Sequence, residues 1–544
     1  MEVNQSAADY CKFCPGEEQV KISDAICRGR RRTHFPKCHG CRFNDDEKPL
    51  AAPSAADSSA PAPPIENLLR PHDICGPVPA LRSADVAWRI GYAAAQFLHG
   101  RLRGYDRADP MAKSLLVGRD LRPESAEIQR PLIQGIRTAG VDVIDVGLID
   151  TPQLYFAVYH LGAGGGLQTT GGSLPAGYNG FIICGSKGAH ITTETGLVSI
   201  RDIALRVPKH QTGAASQLTE KDLTGPYRDF VRGALRGRDR LVKPLRVVID
   251  ASNGVAGRWV PILFDDVENL TVTPLNFEPA EVFHHDPNPT DPANTRDLRR
   301  LVKETKADFG VCFDGDASSC AFIDERGNVV RSDRLAGVLA RMFVGRHAGA
   351  AVVLDLRSTR AAFEEIERAG GVPLASRPDI VSMKRAMSEH GAVFGADLDG
   401  RFYFRDGWFG ESATLAFTQV LNLLTDSDRK LGDLIRPLCR YRSTGELSFP
   451  CPDPARAIQQ LAAACGDAEI THFEGLVVRY PDWWFIARPE PARPAGVEAP
   501  RPSPRTRDAA PDSGPAVLIT LEARTQSTLD EKLAQLPSLL AGQT

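Results

Sequence analysis

Thr169-Thr170-Gly171-Gly172-Ser173-Leu174-Pro175-Ala176-Gly177-Tyr178-Asn179-Gly180-Phe181 is the stretch on which the reading of this chain turns. Four of its thirteen residues are glycine, so the backbone can take positive φ and approach a ligand closely, and successive bare N–H groups can form an anion-binding concavity. A Gly-rich turn at residues 162–166 precedes it, and the expectation is a tight loop. Glycine content by itself leaves two readings open: a surface connection between two elements, or a phosphate-approaching loop.

The chain has 544 residues, too many for one core, and its length predicts three or four domains. Net charge is −3, which supplies no global field to steer nucleic acid or an anionic membrane surface. No apolar run reaches the roughly 20 residues needed to span a bilayer, and the start, Met1-Glu2-Val3-Asn4-Gln5, has neither a basic nor an apolar leader region. The expectation is a cytoplasmic protein without a membrane partner. Five of the twelve cysteines fall within the first 41 residues, a distribution that favours reduced thiols with one local metal site.

That local site is read at residues 1–44. Cys11-x2-Cys14 and Cys38-x2-Cys41 are two knuckles that can each offer two thiolates to one tetrahedral zinc ion, with Cys27, His34 and His39 as alternative ligands. Arg28 and Arg30 to Arg32 lie between the knuckles. They form either a solvated charged loop or a contact for phosphates, nucleic acid or a protein partner. Residues 45–66, rich in Ala, Pro, Ser and charge, read as a linker that cannot bury enough surface to fold.

From residue 67 onward, strand and helix patterns alternate at βαβ spacing, which predicts largely parallel sheets. After Ser83, a candidate N-cap, Val86, Ile90, Ala93, Ala94 and Phe97 recur at helical spacing. Leu115-Leu116-Val117 reads as a buried strand, Ile128 to Ile136 as a helix, and Val141 to Val146 as a strand. Further units start at Leu245 and Val352. Phe309 to Phe313 is a strand ending in Asp314-Gly315-Asp316, and closely spaced carboxylates there suit either a hard cation such as Mg²⁺ or a turn. Residues 489–515 contain many prolines and read as a disordered insertion before a final strand, Val517 to Leu521, and a helix near Thr528 to Leu536.

Several of these stretches together resemble the α-D-phosphohexomutases, the phosphomannomutase/phosphoglucomutase family. Thr170, Gly171, Pro175, Tyr178, Asn179 and Gly180 fit the frame of that family's active-site loop, and Gly118-Arg119-Asp120-Leu121-Arg122 is similar to a second motif. His72-Asp73-Ile74-Cys75-Gly76 and Asp314-Gly315-Asp316 resemble two more, in the same order along the chain. The resemblance implies three successive mixed-sheet α/β domains at residues 67–240, 241–330 and 331–440 and a C-terminal α+β domain at 441–544. It also implies a hexose phosphate substrate, a phosphoserine nucleophile and Mg²⁺ held by three aspartates.

The chain departs from the family pattern where the chemistry lies. The phosphoserine position is Gly172, the motif's histidine falls on Ser173 and its lysine on Ile182. The arginine of the N-terminal motif is Cys75. The third metal aspartate is Ser318 and the arginine after it Ser319, leaving Asp314 and Asp316. In the sugar-specificity loop the glutamate has become Asp397, the serine Asp399 and the histidine Arg401. Arg357, Lys384 and Arg488 remain as candidate substrate-binding cations, while the phosphate loop carries Glu490 in place of serine. The resulting expectation is a family member without turnover that acts by binding or regulation. An active mutase using Ser173 as a displaced nucleophile is the alternative, and recognition through the N-terminal knuckles on a mutase-like scaffold is the third.

Overall fold

The computed structural model describes residues 65–102, 109–207, 216–280, 282–490 and 515–541, with the backbone of Lys12–Phe13 and Lys21–Ile22, which pair antiparallel. The chain divides into two units, Met1–Ala62 and Pro63–Thr544. The expected zinc ligands Cys11, Cys14, Cys38 and Cys41, nearly all of the linker and residues 491–514 of the insertion lie outside the described residues.

The second unit is built on four sheets. The first is six-stranded and mixed, in the order Ile74–Pro77, Tyr178–Gly185, Gly165–Thr169, Leu115–Arg119, Val143–Leu148, Leu218–Glu220. The next two share one plan. In the second, the parallel strands Glu268–Leu275, Arg240–Asp250 and Phe309–Phe313 are followed by the antiparallel Cys320–Asp324 and Val329–Val330. In the third, Val372–Ser376, Ala351–Asp355 and Phe394–Ala396 are parallel, and Phe402–Phe404 and Gly410–Glu411 run antiparallel. The fourth sheet is five-stranded and wholly antiparallel, with Ala516–Ala523 between Arg442–Pro450 and Trp483–Pro489. The predicted class, three mixed α/β domains and a closing α+β domain, is what the chain adopts.

This topology places the chemistry. In the second and third sheets the first strand of the parallel core ends in an aspartate, Asp250 or Asp355, and the strand beside it runs out just before another, Asp314 or Asp397. Ligands of open α/β sheets bind at these carboxyl ends. One continuous hydrophobic cluster runs from Val247 and Phe309 of the second sheet to Leu354 and Phe402 of the third, so these ends are carried on a shared core.

Several local expectations are corrected. Gly165 and Gly166 belong to the strand Gly165–Thr169 and not to a turn; a Cβ at Gly166 would lie 2.9 Å from both Leu154 and Val158, so the absent side chain lets a helix lie on the strand. The loop is consequently shorter, because Tyr178 to Phe181 already form the next strand. Ser83 holds the N-cap position of the helix Ala84–Gly100, but its side chain makes no capping hydrogen bond. The strand expected from Val141 runs over Val143–Leu148, and the last helix spans Gln526–Ala541.

Two helices of the first domain, Ala84–Gly100 and Ser125–Thr138, touch backbone to backbone through a pair of glycines. A Cβ on Gly91 would meet the Leu132 carbonyl oxygen at 2.1 Å, and one on Gly135 the Trp88 carbonyl oxygen at 2.0 Å. Helix propensity alone makes Gly135→Ala stabilising by about 1 kcal/mol. Here backbone is the obstacle and cannot rotate away, so the overpacking cost of about 2 kcal/mol or more wins. We expect Gly135→Ala to lower the thermal midpoint; an unchanged or raised midpoint would contradict the close crossing.

Candidate functional site

The loop after Thr169 is shaped by two side chains that the sequence motif names but whose role it does not reveal. Asp120 follows the strand Leu115–Arg119 and is 1% exposed. Its Oδ2 accepts from Thr170 Oγ1 and from the Gly171 N–H, each at 3.0 Å. The Arg122 guanidinium, also buried, donates to four loop carbonyls: Gly172 (3.0 Å), Leu174 (2.6 Å), Pro175 (3.0 Å) and Tyr178 (2.9 Å). Gly171 is required by this clasp, because a Cβ there would lie 2.2 Å from the Arg122 Cζ. Gly172 itself has φ +48°, in the left-handed region that disfavours other residues.

The loop faces the carboxylates of the second domain. A Cβ placed on Gly172 would be 3.3 Å from Asp316 Oδ2. The same oxygen accepts from Thr151 Oγ1 (2.7 Å) and lies 3.1 Å from Thr170 Oγ1, whose one proton is shared between Asp316 and Asp120, while Asp314 Oδ2 accepts from Ser318 Oγ (2.8 Å) and Ser319 Oγ (2.7 Å). Both aspartates are 2% exposed or less. Burial, with Asp316 as the next cause, pushes the Asp314 carboxyl up to about 7, and burial raises Asp316 as well.

These residues do not fit a Mg²⁺ ion of the kind the family resemblance implies. Magnesium requires near-octahedral oxygen coordination and is usually completed by carboxylate and phosphate. Here the third carboxylate position is Ser318, whose hydroxyl is spent on Asp314, and the facing residue is a glycine that carries no phosphate. Hydroxyl donors occupy one oxygen of each carboxylate. Of the other two oxygens, Asp316 Oδ1 accepts from the Ser318 N–H at 3.3 Å, and Asp314 Oδ1 is buried without a hydrogen-bond partner among the described residues.

The cavity at this point is small, about 130 Å³, against the roughly 300 Å³ or more of usual ligand pockets. Ile182 lines it where the motif frame places a lysine, Ile380 lines it as well, and Ser173, an exposed residue, is also part of its lining. Arg401 also reaches it, but its Nη1 lies 3.3 Å from Asp399 and 3.5 Å from Asp397. Asp397 is fully buried, its carboxyl pushed to about 6 mainly by burial, and it accepts from the Tyr403 hydroxyl at 2.8 Å. Lys384, a candidate substrate-binding cation, is turned onto Glu411 (2.8 Å), which itself lines the cavity, and over the Tyr155 ring (3.8 Å). Tyr155 donates to the same Glu411 at 2.9 Å and lies 3.2 Å from His190, whose pKa burial lowers to about 4. His190 is therefore neutral near pH 7.

The other retained cations line a wider cleft of about 540 Å³ between the first, third and fourth domains. Arg357 is bonded to Asp355 and lies 3.5 Å from Glu446 Oε2. Arg488 donates to Glu446 Oε1 from Nη2 at 2.7 Å and from Nε at 3.2 Å. A third arginine, Arg377, pairs with Glu474. Glu446 thus bridges two of the three arginines. The strand pattern offered no sign of it, because its partners are distant in sequence. Glu490, at the expected phosphate loop, lies 3.5 Å from the Ser448 hydroxyl.

The raised Asp314 carboxyl has a direct consequence for stability. A carboxyl that keeps its proton in the folded state up to about 7, against 3.8 for an unperturbed aspartate, makes the folded state lose stability as pH rises between those values. Asp314→Asn removes the charge while its side-chain carbonyl still accepts from Ser318 and Ser319. We expect the variant to be more stable than the parent at pH 8, by about 1–3 kcal/mol, and the gain to vanish near pH 4. Thermal melts across that range check it, and a variant less stable at pH 8 would show the charge to be compensated.

Similarity to known proteins agrees with this architecture. The α/β/α domains I, II and III of phosphoglucomutase/phosphomannomutase match residues 71–209, 226–327 and 331–441. A protein of Xanthomonas campestris described as phosphohexose mutases is 31% identical over 437 residues, covering 78% of this chain and 92% of the relative. A phosphoglucomutase of Neisseria gonorrhoeae is 30% identical over 433 residues, covering 78% of this chain and 90% of its own. The crystal structure of a phosphoglucomutase/phosphomannomutase family protein from Burkholderia thailandensis superposes with a TM-score of 0.73 at 26% identity, covering 87% of this chain and 97% of that one. With its three domains matched in order and its fourth closing the cleft, the chain belongs to the phosphoglucomutase/phosphomannomutase family, the α-D-phosphohexomutases.

Proposed function

We propose that this chain is a phosphohexomutase-fold protein that does not transfer phosphoryl groups and acts within hexose phosphate metabolism by binding or regulation. The observation that carries the reading is Gly172: the residue facing Asp314 and Asp316 has no oxygen to hold a phosphoryl group. Phosphoryl transfer needs an in-line oxygen nucleophile and positive charge on the equatorial oxygens of the transferred group. Removing a nucleophile costs about 10⁶ in rate, roughly 8 kcal/mol of barrier. Among the described residues around Gly172 the expected lysine is the apolar Ile182, the expected arginine is Ser319, and Arg401 is held by Asp397 and Asp399. Ser173 is one residue along, and a displacement of about 1 Å can already cost 10²-fold.

The expected outcome of a coupled mutase assay with glucose 1-phosphate or mannose 1-phosphate, primed with the bisphosphate, is no turnover above background. Gly172→Ser should not restore it, because the new side chain sits at positive φ against Asp316 and no metal or cation is gained. Robust turnover that Ser173→Ala abolishes would mean that the nucleophile has moved one residue, and the reading would fall.

Ligand affinity in the wider cleft follows from Glu446. An incoming phosphate must displace a carboxylate that already serves Arg357 and Arg488, so glucose 6-phosphate is expected to bind the parent protein weakly. Glu446→Ala leaves both guanidinium groups facing the cleft and is expected to tighten binding at least tenfold, about 1.4 kcal/mol. Calorimetry decides: micromolar binding to the parent that is lost in Arg488→Ala would contradict the expectation.

A further inference from the structure

We propose that Asp250, His285 and Cys312 form a transition-metal site of the zinc class, separate from the Asp314–Asp316 pair and used by nothing described above. Asp250 ends its strand and Cys312 is its register partner on the adjacent parallel strand, so their side chains emerge on one face. His285 arrives from the segment that follows Glu268–Leu275. One ligand atom from each of the three lies within 4.8 Å of the others, and Asp250 and Cys312 are fully buried. A zinc ion with bonds of about 2.0–2.3 Å holds its ligand atoms roughly 3.3–3.8 Å apart, so small side-chain rotations close the site.

The histidine geometry gives this cluster its direction. His285 Nδ1 lies 2.8 Å from the Asp286 carbonyl oxygen, which can only accept, so Nδ1 carries the proton. Nε2 then faces Asp250 Oδ2 at 3.0 Å, a contact that a proton on Nε2 satisfies as an imidazolium–carboxylate pair and that a cation held between the two atoms satisfies in its place. A backbone carbonyl fixing the far nitrogen is the usual support of a metal-bound histidine. Asp250 is oriented in the same way, its Oδ1 accepting from the Ser252 N–H and from Asn276 Nδ2, both at 3.0 Å.

Cys312 decides between metal binding and the two other uses of such a trio. A bare imidazolium–carboxylate pair makes no use of a thiol, and a nucleophilic cysteine needs exposure and a histidine nitrogen to activate it. Cys312 is 0% exposed, so no substrate reaches its sulfur. The thiol's polar neighbours are Ser252 Oγ at 3.5 Å and the Phe313 carbonyl at 3.8 Å. Sulfur, nitrogen and oxygen donors in one set select zinc or a neighbouring divalent transition ion over Mg²⁺ or Ca²⁺. The His285 side chain is 13% exposed, which leaves a solvent-facing side for a water as fourth ligand. On binding, the Cys312 S–H bond breaks, an S–metal bond forms, and the proton leaves to solvent.

The test is a Co²⁺ titration of the full-length chain in which Cys11, Cys14, Cys27, Cys38 and Cys41 are replaced by serine, so that the N-terminal thiols contribute nothing. The expected result is a thiolate-to-cobalt charge-transfer band that saturates at one equivalent and is reversed by Zn²⁺. In the same background Cys312→Ser removes the band, and His285→Gln, at a position only partly buried, weakens cobalt binding at least tenfold, with helical circular dichroism confirming that both variants are folded. Absence of the band in the parent background, or its persistence in Cys312→Ser, overturns the proposal.

Discussion

The buried carboxylate of Asp316 is the constraint around which the two halves of the site are arranged. It takes hydrogen bonds from Thr151 and Thr170 of the first domain while it belongs to the second, and its backbone carbonyl accepts from the Thr151 N–H at 3.0 Å. Thr151 opens a helix capped by Asp150, so the positive end of that helix also points at Asp316. A carboxylate in this position is costly unless satisfied, and the chain satisfies it with hydroxyl and amide donors. The same device recurs at Asp314, with Ser318 and Ser319 as donors.

Cations around both cavities are handled in the same spirit. Arg122 spends its guanidinium on loop carbonyls, Lys384 on Glu411, Arg401 on Asp397 and Asp399, and Arg357 and Arg488 share Glu446. In a phosphate-handling site such groups must be available to an incoming anion. Here each already has an internal acceptor, so the fold retains the positions of an anion-binding cleft while its electrostatics are closed on themselves. Buried pairs of this kind contribute little net stability, because desolvation offsets their attraction.

Two sheets built on one plan then carry two different outcomes. Asp250 and Asp314 end adjacent strands in the second domain, as Asp355 and Asp397 do in the third. Asp355 and Asp397 are answered by the arginines Arg357 and Arg401, whereas Asp250 is answered by a histidine beside a buried thiol. The strand ends converge because the parallel core requires it, and the chemistry at each end is set by the residues that arrive from loops.

The sequence by itself determined the fold class, the order of the four domains and the loop that faces the acidic pair. Local patterns, such as the apolar run in Leu115 to Val117 and the helical spacing from Val86 to Phe97, show α/β units, while the order of the four domains and the pairing of loop and acidic motif are what the family resemblance implies. It also made visible that Gly172 and Ser318 stand where the family resemblance places a nucleophile and a metal ligand. Only the tertiary structure decided what the remaining polar groups do. Glu446 is 89 residues from Arg357 and 42 from Arg488, Glu411 is 256 residues from Tyr155, and His285 is 35 residues from Asp250. Pairings of this range leave no periodic trace in the chain, because a charge has the same local propensity whether it faces solvent, a ligand or a distant carboxylate. Its meaning is set by burial, and burial comes into being only when the domains pack.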